Sequence, residues 1–120
     1  MKLLIVDDSM MMRDTIERYL EDYDLTIIGT ASNGAEALKI IESDKPDVVT
    51  LDITMPEMDG LECLENIMKI NPETKVMIIT ALSDKLTGLQ AIDKGATGFF
   101  LKPVDPEELK EGFDELLNRN

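Results

Sequence analysis

Five short apolar runs constrain this chain more than any other feature. They are Leu3-Leu4-Ile5-Val6, Leu25-Thr26-Ile27-Ile28, Val48-Val49-Thr50-Leu51, Val76-Met77-Ile78-Ile79 and Gly98-Phe99-Phe100-Leu101. Each is rich in branched or aromatic residues and nearly continuous rather than alternating. Strands covered on both faces read this way. Between the runs, apolar residues recur at helical spacing. Met12, Ile16, Tyr19/Leu20 and Tyr23 form one set, Ala37/Leu38 and Ile41 a second. Leu61, Leu64 and Ile67/Met68 form a third, and Leu109, Phe113 and Leu116/Leu117 a last. Strand alternating with helix, five times over, means an α/β domain with a parallel sheet and right-handed crossovers.

Helix signals agree with this frame. Asp105-Pro106-Glu107-Glu108 offers a cap, a first-turn proline and acids at the positive dipole end. Ser32 or Asn33 caps the second helix, with Glu36 placed to complete a capping box. The fourth helix, about Asp84 to Lys94, is the weakest, because Thr87 and Gly88 lie inside it. A mid-helix glycine costs roughly 1 kcal/mol against alanine. That suits a marginal surface helix, and equally an element easily shifted by a switch.

Length and charge exclude several function classes. The 120 residues suit a single domain over 1–120. The 12 Lys+Arg stand against 25 Asp+Glu, a net charge of −13, which argues against a nucleic-acid-binding surface. With no histidine, a Ser-His-Asp or Cys-His triad and any His-ligated metal are ruled out. The lone Cys63 has no partner for a disulfide and reads as a small apolar residue on the third helix. With no signal peptide and no run near the roughly 20 apolar residues of a membrane span, no membrane insertion and a cytoplasmic location are expected.

The polar residues then fall in a pattern. Four runs end in a polar residue at the carboxyl end: Asp7-Asp8, Asp52, Thr80 and Lys102. The second ends in Gly29-Thr30, a poorer candidate. Open α/β sheets bind ligands at the carboxyl ends of strands, at a topological switch point. In the flavodoxin-like order 2-1-3-4-5 that point lies between strands one and three, where Asp7, Asp8 and Asp52 converge beside Thr80 and Lys102. Three carboxylates in one crevice repel, and a hard divalent cation with oxygen ligands relieves them. Mg²⁺ fits, because it takes one or two carboxylates and completes its shell with water and phosphate. With Lys102 it balances the three acids.

The chemistry suited to such a site is phosphoryl transfer, which needs positioning and charge stabilisation more than covalent machinery. Asp52, ending a central strand, is the candidate nucleophile for an acyl phosphate. Asp7 and Asp8 are candidate metal ligands, with Lys102 and Thr80 at the phosphoryl oxygens.

Leu4-Ile5-Val6-Asp7-Asp8-Ser9, the run from Leu51 to Gly60, Ile79-Thr80-Ala81 and Leu101-Lys102-Pro103 together resemble the four signatures of the response-regulator receiver domain. The match spans the chain, in order, and is similar to the single-domain CheY-like type. The resemblance implies a flavodoxin-like doubly wound (βα)5 fold with strand order 2-1-3-4-5. It implies that Asp52 accepts a phosphoryl group from a sensor histidine kinase or a small donor such as acetyl phosphate. The absent histidine means that a phosphohistidine donor must come from another protein. It further implies Mg²⁺ on Asp7, Asp8, Asp52 and the Thr54 backbone carbonyl, with Thr80 and Lys102 on the phosphoryl group. Thr80 and Phe99 take the switch positions. Many members carry tyrosine where Phe99 stands, so a hydroxyl contact to a partner is lost here. Enzymatic activity would extend only to self-phosphorylation and its reversal. The downstream target would bind the face of the fourth helix, fifth strand and fifth helix, a flagellar motor switch being one such target in chemotaxis. Lys102-Pro103 takes the place of the family's cis peptide. Thr54 and Leu82 occupy the positions that tune phosphoryl lifetime. Pro56 and Gly60 shape the loop beyond the nucleophile, Gly60 where few side chains fit.

Other readings compete. A phosphatase of the haloacid-dehalogenase type also uses Asp, Thr, Lys and Mg²⁺, but its motif is Asp-x-Asp and Thr54 holds the second position here. A flavodoxin-like electron carrier needs a Ser/Thr-Gly-rich phosphate loop and aromatics for the flavin, where this chain has Asp7-Asp8-Ser9-Met10. A third reading keeps the receiver inside a longer methylesterase or transcription factor, to which Asp59-Gly60-Leu61-Glu62-Cys63-Leu64 has some likeness. Met10, Met11 and Met12 suit either an adaptable partner surface or core packing with helix-start exposure.

Overall fold

The computed structural model describes residues 1–54, 60–81 and 85–117. Strand and helix alternate throughout. The elements are β1 (Lys2–Val6), α1 (Met10–Tyr19), β2 (Thr26–Ala31), α2 (Gly34–Asp44), β3 (Val48–Leu51), α3 (Gly60–Ile70), β4 (Lys75–Thr80), α4 (Lys85–Asp93), β5 (Gly98–Leu101) and α5 (Pro106–Leu116). All neighbouring strands are parallel, in the expected order β2-β1-β3-β4-β5.

The pleat divides the apolar runs between two cores, because successive side chains point to opposite faces. Leu4, Val6, Val49, Leu51, Val76 and Ile78 pack against Ala37 and Ile41 of α2, Leu64 and Ile67 of α3, and Ala91 of α4. Leu3, Ile5, Val48, Met77 and Ile79 pack the other way, against Ile16 of α1, Leu20, and Leu109 and Phe113 of α5. A continuous apolar run is therefore needed to feed both layers.

The expectation of cover on both faces holds for β3 and for all but the first residue of β1 and β4. It fails for β2 and β5, which are mostly half-buried. Each is an edge strand with one neighbouring strand, so the same apolar look meets less cover there.

Local details follow from side-chain chemistry. Asn33, rather than Ser32, caps α2, its Oδ1 accepting from the Glu36 N–H at 2.9 Å. Glu36 answers through its carboxylate, which accepts from the Asn33 and Ser32 side chains instead of from the cap's backbone. Asp105 caps α5, with Pro106 in its first turn. Helix α1 ends at Tyr19, so Tyr23 lies beyond it. There the Tyr23 hydroxyl donates to the Lys110 carbonyl at 2.9 Å and lies 2.7 Å from Asp114 Oδ1, tying the α1–β2 connection to α5. Met10 and Met11 are exposed while Met12 packs inward, which is helix-start exposure. Cys63 is buried in the α2/α3 layer. Burial, with the nearby Glu62 charge, pushes its thiol up to about 11, so it stays protonated and apolar.

Helix α4 is a surface helix. Asp84, the expected start, lies outside the described residues. Leu86, Leu89 and Ile92 are 61, 65 and 48% exposed, and Ala91 alone is buried. Its far end is anchored: Gly95 takes φ +109°, and an added Cβ there would meet Met68 Sδ at 2.7 Å. The Lys94 ammonium pairs with Glu65 of α3.

Candidate functional site

The strand order delivers the convergence the sequence suggests. Val6 of β1 lies opposite Leu51 of β3, so the next residues, Asp7 and Asp52, leave adjacent strands side by side. Their backbones extend the ladder: Asp7 N–H donates to Ala31 and Asp52 N–H to Val6, each at 3.0 Å. Thr80 ends β4, fully buried. Lys102 follows β5, its N–H donating to the Thr80 carbonyl at 2.8 Å. Its bond to Pro103 is cis.

The side chains form one charged cluster. Lys102 Nζ lies 2.8 Å from Asp7 Oδ2 and 3.0 Å from Asp52 Oδ2. Asp7 and Asp52 are only 1 and 2% exposed. Carboxylate oxygens of Asp7, Asp8 and Asp52 come within 4.8 Å of one another, with Asp8 alone on the solvent side. Burial raises the Asp7 carboxyl above its ordinary range, although Lys102 and the Ser9 N–H pull the other way. For Lys102, burial opposes the charge, but bonds and charges from Asp7 and Asp52 outweigh it and the ammonium is raised.

Both buried acids are held by the same local device. Asp7 Oδ1 accepts from Ser9 N–H at 2.9 Å, and Asp52 Oδ1 from Thr54 N–H at 2.9 Å. These are Asx turns, in which a carboxylate caps the backbone two residues on. Thr54 adds its hydroxyl to Asp52 Oδ1 at 2.6 Å, and Arg13 Nη1 donates to the Asp7 carbonyl at 2.7 Å. Sequence reading missed these supports. The Asp-Asp-Ser and Asp-Ile-Thr spacings, both of Asx-turn type, were the available signal.

One atom tests the fit to a cation. Asp7 Oδ2 is buried and has the Lys102 ammonium at 2.8 Å as its one polar neighbour, with no further hydrogen-bond donor among the described residues. An under-satisfied buried oxygen beside two further carboxylates is a donor set for a hard, oxygen-seeking ion. The acidic cluster is thus compatible with Mg²⁺.

Gly60 sits where a side chain would not fit. A Cβ there would lie 2.1 Å from the Ile53 Cα, so α3 begins directly against the backbone that follows Asp52. Pro56, Asp59 and Leu82 lie outside the described residues. Phe99 stands apart from the cluster. It sits in β5, half-buried under α4, its ring 3.8 Å from where a Cβ on Gly88 would lie.

A parallel α/β sheet whose switch point holds three acids and a lysine defines the class. The chain belongs to the response-regulator receiver family, whose model, the response regulator receiver domain, matches residues 3–114. Within it the chain is of the CheY type of chemotaxis regulator. It is 45% identical to the chemotaxis protein CheY of Listeria monocytogenes over 115 residues, 96% of this chain and 97% of that protein. A chain in the crystal structure of the CheX-CheY-BeF3-Mg complex from Borrelia burgdorferi superposes with a TM-score of 0.92 at 35% identity, covering 97% of this chain and 88% of that one. The protein-glutamate methylesterase/protein-glutamine glutaminase of Halobacterium salinarum is 45% identical over 102 residues, 83% of this chain but 29% of that protein.

Proposed function

We propose that residues 1–120 form one receiver domain that accepts a phosphoryl group on Asp52 from a sensor histidine kinase in the cytoplasm. The observation that carries this is the buried Asp7–Lys102–Asp52 cluster at the switch point. An Asp52 oxygen attacks phosphorus, the bond from phosphorus to the donor's imidazole nitrogen breaks, and the freed imidazole takes a proton from water. Acetyl phosphate would release acetate instead. Asp7, Asp8, Asp52 and the Thr54 carbonyl would hold Mg²⁺, which supplies charge neutralisation at the phosphoryl oxygens. Lys102 pairs with a phosphoryl oxygen, and the Thr80 hydroxyl donates to another. Thr54, through its N–H and hydroxyl, holds Asp52 Oδ1, which leaves Oδ2 facing Lys102. The chain's catalysis stops at its own phosphorylation and slow hydrolysis.

The output follows as a population shift. Thr80 moves toward phospho-Asp52, Phe99 turns inward, and the face of α4, β5 and α5 changes shape for a target, a flagellar motor switch among the candidates. Target binding stabilises the phosphorylated form by the same coupling free energy. The high coverage of CheY proteins supports a single-domain regulator. Identity to methylesterases over under a third of their length favours a second reading, a receiver within a longer regulator. Replacing Asp52 with Asn should abolish Mg²⁺-dependent labelling by acetyl phosphate, followed by intact-mass spectrometry. Undiminished labelling of that variant would overturn the assignment.

A further inference from the structure

Arg13 sits one turn into α1, half-buried, on the helix that follows Asp7 and Asp8. Among the described residues it forms no ion pair, although two acids begin the turn that leads to it. Its Nη1 donates instead to the Asp7 carbonyl at 2.7 Å. The pairing of β1 with β2 ends at Val6 and Ala31, and the Asp7 N–H makes the last bond across it, to the Ala31 carbonyl. The Asp7 carbonyl thus lies past that ladder, where a backbone acceptor needs another partner. Three further bonds close the same turn. Ser9 N–H donates to Asp7 Oδ1 at 2.9 Å, Met12 N–H to Ser9 Oγ at 3.2 Å, and Arg13 N–H to the Ser9 carbonyl at 3.0 Å. Asp7 and Ser9 are therefore tied down on either side of Asp8, whose own side chain stands exposed.

We infer that Arg13 is a positioning residue: by buckling the Asp7 carbonyl to α1 it sets Asp7 and Asp8 for a small octahedral cation, and so favours Mg²⁺ over Ca²⁺. The inference deepens the Mg²⁺ site proposed above and rests on it. The two basic groups near the acids divide their work. Lys102 meets Asp7 Oδ2 and Asp52 Oδ2, whereas Arg13 meets a neutral carbonyl and leaves the carboxylate oxygens to the metal. A charge-assisted bond of this kind is short and strong. Mg²⁺ demands near-ideal octahedral geometry at about 2.0–2.1 Å, while Ca²⁺ accepts looser shells at roughly 2.3–2.6 Å. A slack turn therefore costs Mg²⁺ more than Ca²⁺. Charge alone predicts the opposite sign. A guanidinium beside the ligands repels a divalent ion, so removing it would tighten both metals. The direction of the change separates geometry from charge.

The test uses the full chain, with dissociation constants taken from thermal melts across MgCl₂ and CaCl₂ series. Arg13→Met keeps a long side chain and removes its donors. It should raise the Mg²⁺ constant about tenfold. The Ca²⁺ constant should rise by less than about threefold, so the preference for Mg²⁺ falls. Arg13→Lys restores the charge and a donor and should recover part of the Mg²⁺ loss. Tyr23→Phe removes the hydroxyl's bonds to Lys110 and Asp114 beyond the far end of α1. It should lower stability in urea yet leave the preference as in the native chain. Where Arg13→Met does not unfold cooperatively in EDTA, Arg13→Lys decides alone: a lowered preference supports the buckle and a native one overturns it. Tighter or unchanged Mg²⁺ binding in Arg13→Met overturns the inference. So does an equal loss for both cations, or a changed preference in Tyr23→Phe. Acetyl phosphate labelling of the native chain separates the two failures. A native chain that binds Mg²⁺ and is labelled, with the Arg13 variants unchanged, sinks the buckle alone. A native chain that binds no Mg²⁺ or takes no label sinks the receiver reading and the inference with it.

Discussion

The crevice at the carboxyl ends of β1 and β3 and the face of α4 and β5 invert the burial rule in opposite senses. The crevice buries charge: Asp7, Asp52 and Thr80 are almost inaccessible. The face exposes grease: Leu86, Leu89, Ile92 and Leu101 stand 46 to 65% open. A buried polar group or an exposed apolar patch is the informative departure, since scattered exposed leucines mean little. Each region leaves something unsatisfied, an under-bonded carboxylate oxygen in one and uncovered apolar surface in the other. The first is compatible with Mg²⁺; on the function proposed above it also takes a phosphoryl group, and the second takes a protein. Phe99 lies between them, three residues before Lys102 in the chain and against Gly88 of α4.

The comparison breaks most sharply at Lys102. Lys102→Met leaves two buried carboxylates without their cation and should destabilise the Mg²⁺-free protein by about 3 kcal/mol in urea unfolding. A loss under ~0.5 kcal/mol would mean the cluster is solvated, and the contrast with the α4 face would collapse. Next in size is the metal. Mg²⁺ at about 100 times its dissociation constant should raise stability by about 2.7 kcal/mol in the native chain. Asp7→Asn should abolish that rise and, without Mg²⁺, be more stable than the native chain, because one crowded buried acid is gone. Thermal melts at several Mg²⁺ concentrations check both points. Smaller is the effect at α4, where Gly88→Ala should stabilise by up to ~1 kcal/mol, since a Cβ there makes ordinary contact with the Phe99 ring. A destabilised variant would show that Phe99 needs that space. Smallest of all, Leu89→Ser should stay within about ±0.5 kcal/mol, as an exposed surface change does. A larger loss would mean that Leu89 belongs to the core and that this face is no docking surface.

Much of this was legible in the chain. Local rules governed the runs, the helix faces and the Asp105 cap, and the elements appear in the expected order, although β2 runs through Gly29-Thr30 to Ala31 and α1 stops before Tyr23. The polar strand ends were legible because an open parallel sheet puts ligands at one edge. Edge exposure of β2 and β5 was not, because a run of apolar residues does not say how many neighbours its strand will have. The choice of Asn33 over Ser32, and the reach of Tyr23 to α5, depended on where each helix stopped. Asp52-Ile53-Thr54 carries the turn signal, but whether the Thr54 hydroxyl reaches Asp52 Oδ1 depends on the side-chain rotamer, which spacing does not set.

What the sequence determined by itself is the periodic and the covalent: five strand–helix units, the position of each acid at a strand end, and a deficit of positive charge. These are local, and residue type and spacing set them. What only the tertiary structure decided is which groups meet. Strand order placed Asp7 beside Asp52, fifty residues of chain brought Lys102 between them, and packing left α4 with its leucines outward. Contacts of that kind rest on long-range pairing and on how completely one layer covers another, and no window of residues contains them.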